Sequence, residues 1–338
     1  MRLRSRLGFT VVAVLLVFAV TAFAADKVAD LRGAAEKGDV DAQYNLGLMY
    51  YKGYGVAQDP RQAAIWCRRA ADQGLADAQL ILGQMYYQGE GVAKDEQEAV
   101  VWWRRAADQG LAQAQYSLGD SYRTGKGVAQ DPKQAAVWYR RAADQGHAQA
   151  QFNLGLMYDE GKGVAQDPKQ AAAWWRRAAE QGLAKAQYNL GLMYDEGNGV
   201  AKDRQEAVAW FRRAADQGHA QAQFNLGVMY YEGEGVPQDP KQAAAWLRRA
   251  ADQGFAMAQY NLGLMYDEGE GVSQDPKQAA VWYRRAADQG LAQAQYNLGV
   301  MYYQGEGVAK DEQEAVVWFR RAADQGYAQA KAALQKLQ

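Results

Sequence analysis

The chain has 338 residues, 49% of them hydrophobic, with 10 Trp, 21 Tyr and a single cysteine. Its 38 Lys and Arg against 39 Asp and Glu give a formal net charge of −1, which excludes the basic footprint of a nucleic-acid or anionic-membrane binder. One cysteine excludes an intrachain disulfide, so stability has to come from packing.

The first element reads as an export leader. Arg2, Arg4 and Arg6 precede an apolar run from Leu7 to about Val20, and Ala22-Phe23-Ala24 supplies a small-x-small cleavage pattern before Asp26. This layout predicts a secretory signal peptide over residues 1–24, cut after Ala24. The run is short for a hydrocarbon core of about 30 Å, so no membrane insertion is expected after the cut. No Cys follows the run, which argues against a lipid-anchored start. Losing the three arginines takes the net charge from −1 to −4. The periplasm is the expected destination, with secretion or surface attachment as the alternative.

Residues 25–38 read as an N-terminal capping helix ending at Gly38. From Asp39 to Gly326 one 36-residue pattern then recurs eight times with no residue inserted or deleted: 39–74, 75–110, 111–146, 147–182, 183–218, 219–254, 255–290 and 291–326. Gly47 and Trp66 start columns that return in every copy, as far as Gly299 and Trp318. A fixed period of this length means stacked supersecondary units, each burying its apolar face against its neighbours.

Residues 255–290 show how one unit works. Ala258, Leu262, Met265 and Tyr266 share one face of a predicted first helix. Gly263 lies inside it, where glycine costs about 1 kcal/mol relative to Ala, so a neighbouring helix is expected to come too close for a side chain. Gly269 and Gly271 end that helix. Asp275-Pro276-Lys277-Gln278 starts a second helix with an Asp N-cap, Pro at the first helical position and Gln as the closing arm of a capping box. Ala279, Trp282, Tyr283 and Ala286 form its buried stripe, and Gly290 stops it. Residues 327–338 read as a lone C-terminal capping helix, with Lys331, Gln335 and Lys336 facing water.

The pattern AxAQYNLGxMYxxGxGVxxDxxxAxxWxRRAAxQG resembles the Sel1-like repeat, a 36-residue relative of the tetratricopeptide repeat, over all eight units. The resemblance implies an all-α, right-handed superhelical solenoid of helix–turn–helix units with helical caps. It also implies an adaptor whose first helices line a concave surface holding a protein or peptide, often in bacterial envelope assembly, polysaccharide export, signalling or host contact. A cysteine-rich Helicobacter-type branch is linked to β-lactam binding and hydrolysis, but it carries a cysteine pair in each repeat. Here Cys67 stands alone, in a column otherwise filled by Trp103, Tyr139, Trp175, Phe211, Leu247, Tyr283 and Phe319.

Little else in the sequence suggests chemistry. His147 and His219 open their repeats two units apart, and no ligand-spaced Cys or carboxylate joins them, so both are expected to pack between repeats. The GEGV and GKGV loops follow a helix rather than a strand, unlike a phosphate cradle, and the DEGxG stretches lack a calcium loop's alternating oxygens. The repeated Trp and Tyr are core at helical spacing. No catalytic residue, cofactor or metal is therefore predicted.

The columns that vary are more informative. Around the end of the first helix they carry Arg123 and Lys126 in the third unit, then Asp159, Glu160, Asp195, Glu196, Tyr231, Asp267 and Tyr303. Carboxylates at a helix C-terminus oppose its dipole by about 0.3–1 kcal/mol each, which hints at a grip on a basic segment. The competing reading is a solvated face. An inner column is apolar at Leu156, Leu192, Val228, Leu264 and Val300 and polar at Asp120, so the third unit is a candidate specificity site. The expected function is a non-enzymatic scaffold of the bacterial envelope binding a protein or peptide, with no nucleic acid. A host-facing virulence factor or a β-lactam-binding protein are the alternatives. Near-identical repeats carry little information on the partner's identity or the oligomeric state.

Overall fold

The computed structural model describes residues 27–337, so the predicted leader and its cleavage site lie outside the described residues. All regular structure described is helical, and the chain divides into two compact units, the first ending at Gln166 and the second beginning at Asp167. The first holds α1 (residues 27–36), α2 (Val40–Lys52), α3 (Pro60–Asp72), α4 (Ala76–Gln88), α5 (Glu96–Asp108), α6 (Ala112–Thr124), α7 (Pro132–Asp144) and α8 (Ala148–Glu160). The second holds α9 (Pro168–Glu180), α10 (Ala184–Glu196), α11 (Arg204–Asp216), α12 (Ala220–Glu232) and α13 (Pro240–Asp252). It continues with α14 (Ala256–Glu268), α15 (Pro276–Asp288), α16 (Ala292–Gln304), α17 (Glu312–Asp324) and α18 (Ala328–Lys336). Within each unit consecutive helices pack on one another, which is the organisation of an all-α solenoid.

Local chemistry fixes the boundaries. Each second helix begins at an Asp whose carboxylate accepts from the backbone, as Asp275 Oδ1 does from Lys277 N at 3.0 Å and Gln278 N at 3.2 Å. The expected return arm of a capping box is absent. Asp275 N instead donates to Tyr266 O at 2.9 Å, tying the loop to the preceding first helix. In two repeats the residue in the Gln278 column is a glutamate that accepts from a tryptophan one turn on, Glu98 from Trp102 Nε1 at 2.9 Å and Glu314 from Trp318 Nε1 at 2.8 Å. The second helix closes in a Schellman turn, with Gly290 N donating to Ala287 O and Leu291 N to Ala286 O.

Two glycines have separate reasons. A Cβ on Gly263 would sit 2.6 Å from the Tyr283 ring, so the pair of helices in one repeat closes on that ring. Gly271 adopts φ +69°, and a Cβ there would lie 2.1 Å from the carbonyl oxygen of Pro240 in the repeat before. The second glycine of the loop therefore joins repeats as well as ending a helix.

The core is built across repeats. Trp282 buries itself with Leu247 and Ala250 of α13 and with Ala258, Leu262 and Met265 of α14. A polar spine accompanies it. Gln259, 4% exposed, donates to Ala251 O at 3.0 Å and accepts from Gln289 Nε2 at 2.8 Å. Equivalent pairs recur, such as Gln109 on Gln79 in the first unit and Gln325 on Gln295 in the second. The first-helix glutamine of each pair satisfies an orphan carbonyl at the end of the preceding second helix, from Ala71 of α3 to Ala287 of α15, which burial would otherwise penalise. On α18 Ala330 is buried while Lys331, Gln335 and Lys336 are exposed.

Candidate functional site

The variable residues lie in the last turns of the first helices and the loops after them. In the first unit they are committed to one another. Arg123 Nη2 reaches Asp120 Oδ1 at 2.5 Å, and Arg123 Nε donates to Tyr139 Oη at 3.1 Å. Tyr139 Oη donates in turn to Asp120 Oδ1 at 3.2 Å. Lys126 Nζ donates to Tyr87 Oη of the preceding repeat at 3.0 Å. Arg123 is thus paired with Asp120 within its own repeat, while exposed Lys126 meets only the hydroxyl of Tyr87 among the described residues. Leu156 and Asp159 are half-buried, and burial followed by the Glu160 charge raises the Asp159 pKa. Glu160 is exposed and pairs with Lys162 at 2.7 Å.

In the second unit the ridge is partly neutralised. Arg204, at the start of α11, lies 3.5 Å from Asp195 and 2.7 Å from Glu234 of the next repeat. Tyr231 donates to Glu270 across a repeat boundary, and this bond pushes the Tyr231 pKa up to about 12. Tyr283 Oη donates to Asp267 Oδ2 at 3.3 Å. Tyr303 is exposed, with Lys310 Nζ 5.6 Å from its ring centre. Glu196, Glu232 and Glu268 are exposed and have no ion pair among the described residues. The inner column is half-buried, not free: Leu192 packs against the cluster containing Phe211, and Leu264 against the one containing Tyr283. Val228 and Val300 are likewise half-buried.

The structure brings Val228, Tyr231 and Leu264 together around a cleft of about 240 Å³ between α12 and α14. Met265 and Asn261 complete its walls, buried Leu247 lies at its base, and exposed Glu232 and Glu268 stand at its edge. Sequence reading noted Leu247 only as one member of a column; its small size among aromatic residues was the signal for this space. Larger hollows near Gly91 and Gly127 are open gaps where loops approach the start of the preceding second helix.

The candidate reactive residues are structural. His147 and His219 are helix N-caps whose Nδ1 atoms accept from Ala150 N at 3.2 Å and Ala222 N at 3.3 Å. Each stacks on a tyrosine of the preceding repeat, Tyr116 and Tyr188, with ring centres 4.7 Å apart. Burial lowers both imidazole pKa values. Cys67 is fully buried against Gly47, and burial pushes its thiol up to about 12, far from a nucleophile's range. No group of three or more His, Cys, Asp or Glu among the described residues is placed to hold a metal ion. No described helix is long and apolar enough to cross a membrane.

Comparison with known proteins finds the model of the Sel1 repeat matching eight times, over 40–75, 76–111, 112–147, 148–183, 184–219, 220–255, 256–291 and 292–327. A protective antigen of uropathogenic Escherichia coli strains, whose crystal structure displays the SLR fold, is 40% identical. The match covers 92% of this chain and 67% of that one, with a TM-score of 0.89. A Sel1 repeat protein from Oxalobacter formigenes is 37% identical over 92% of this chain and 90% of its own, with a TM-score of 0.70. No curated protein matches.

Proposed function

Because the chain belongs to the Sel1 repeat family, we propose that it is a non-enzymatic scaffold of the bacterial cell envelope, holding a protein or peptide along its row of first helices. The Sel1 solenoid is a protein–protein interaction fold. The observation that carries this reading is the lining of the α12–α14 cleft: half-buried apolar residues beside carboxylates that have no ion pair among the described residues. Apolar contact supplies affinity in such a surface, and rim charge supplies selectivity and on-rate.

The test is a crosslinking pull-down from the native envelope, comparing wild type with the Glu196→Gln/Glu232→Gln/Glu268→Gln variant. Loss of a specific partner with helicity intact by circular dichroism supports the reading. Equal recovery removes the carboxylates from the interface. The relative described as a protective antigen favours a second reading, in which the partner is host-facing and the chain is surface-associated or secreted. Fractionation separates the two, by recovery of the mature protein with a periplasmic marker or in surface and medium fractions.

A further inference from the structure

In the repeat 219–254 two columns lapse together. Phe224 stands where Tyr188 and Tyr260 stand in neighbouring repeats, and Leu247 where Phe211, Tyr283 and Phe319 stand. In the repeats before and after that of Asn261 the equivalent asparagine meets a hydroxyl: Asn225 that of Tyr188, and Asn297 those of Tyr260 and Tyr283. The positions opposite Asn261 offer none. Its side chain has no hydrogen bond among the described residues and lines the cleft that Leu247 leaves open.

The volume is below the roughly 300–1,000 Å³ of a small-molecule site. It is ample for one anchoring side chain, since a cavity of about 150 Å³ already takes a benzene ring. Glu232 and Glu268 end α12 and α14 and add their charge to the negative ends of both helix dipoles. The Tyr231 hydroxyl is occupied by Glu270.

From this geometry we infer that the α12–α14 cleft is a peptide-anchor site, taking a segment with one aliphatic or aromatic side chain flanked by Lys or Arg. The anchor fills the space over Leu247 between Val228 and Leu264. The flanking cations meet Glu232 and Glu268, and Asn261 hydrogen-bonds the peptide backbone. The inference rests on the scaffold reading and narrows it to one site and one partner chemistry.

The probes are three fluorescein-labelled peptides, identical except for a central Lys-Leu-Lys, Lys-Ala-Lys or Glu-Leu-Glu, followed by anisotropy on the full chain. Wild type is expected to bind the first about tenfold more tightly than the second, whose Ala leaves the space over Leu247 unfilled, and more tightly than the third, whose carboxylates are repelled by Glu232 and Glu268. Leu247→Tyr fills the cleft with a side chain the repeat already accommodates at Tyr139 and Tyr283, and is expected to abolish the preference without lowering Tm. Glu232→Lys/Glu268→Lys leaves the volume and is expected to reverse the charge preference. Equal binding by wild type and a folded Leu247→Tyr overturns the site, as does no discrimination or no binding at millimolar peptide. If Leu247→Tyr is unfolded, the charge-reversal variant decides alone, and an unaltered preference overturns the site. A native partner still captured by Leu247→Tyr leaves the scaffold reading standing while this site falls.

Discussion

His147 and His219 show what a residue can carry besides packing. Only the neutral ring can accept a backbone N–H at Nδ1, and burial holds both imidazoles below the ordinary value near 6.5. Lys185 adds to this at His219, whereas His147 Nε2 lies 3.0 Å from Gln113 Oε1. The unfolded chain therefore takes up protons at these rings before the folded chain does. Their contribution is complete above about pH 6.5 and is lost progressively as the pH falls below it. Aspartate caps the equivalent helix at Asp39, accepting from Ala42 N at 2.8 Å. His147→Asp/His219→Asp should keep the caps and flatten the dependence of Tm on pH between about 5 and 7. An unchanged slope in thermal melts across that range would exclude the two rings as its source.

At the scale of the element, the helix pair was legible and the join between repeats was only partly so. Asp N-caps, Pro at the first helical position and terminal glycines act on their own neighbours in sequence, so reading them one repeat at a time suffices. The buried stripe was equally plain, because Leu262, Met265, Trp282 and Tyr283 fall at helical spacing. Gln259 and Gln289 were passed over because a glutamine reads as a surface residue until the carbonyl it satisfies is seen. The capping box failed for a related reason: Tyr266 O, from another helix, took the N–H that Gln278 was expected to meet. The cleft was hidden because it arises from missing bulk at Leu247 and missing hydroxyls at Phe224 and Leu247. The stripe gives a direct prediction. Trp282 bridges α13, α14 and α15, so Trp282→Ala should cost about 3–5 kcal/mol in urea unfolding and loosen the repeats on both sides. A midpoint within error of wild type would contradict the core assignment.

For the whole molecule, stability is a sum of repeat and nearest-neighbour terms. Deleting residues 255–290 removes α14 and α15 and leaves junctions whose facing side chains match those already present. This deletion should preserve helicity per residue by circular dichroism and lower Tm only modestly, whereas deleting 255–272 should abolish cooperative unfolding, because it leaves α15 without its partner α14. Equal behaviour of the two deletions would refute the neighbour-only description. The acid–base balance bears on association rather than fold, since the exposed carboxylates of α10, α12 and α14 face water. Cys67, carried on the second helix of its repeat and sealed against Gly47 of the first, has a consequence of another kind. As the lone thiol of the chain it can be modified only when repeat 39–74 opens. The rate of its alkylation under native conditions is therefore a built-in clock for local opening, read without adding a label.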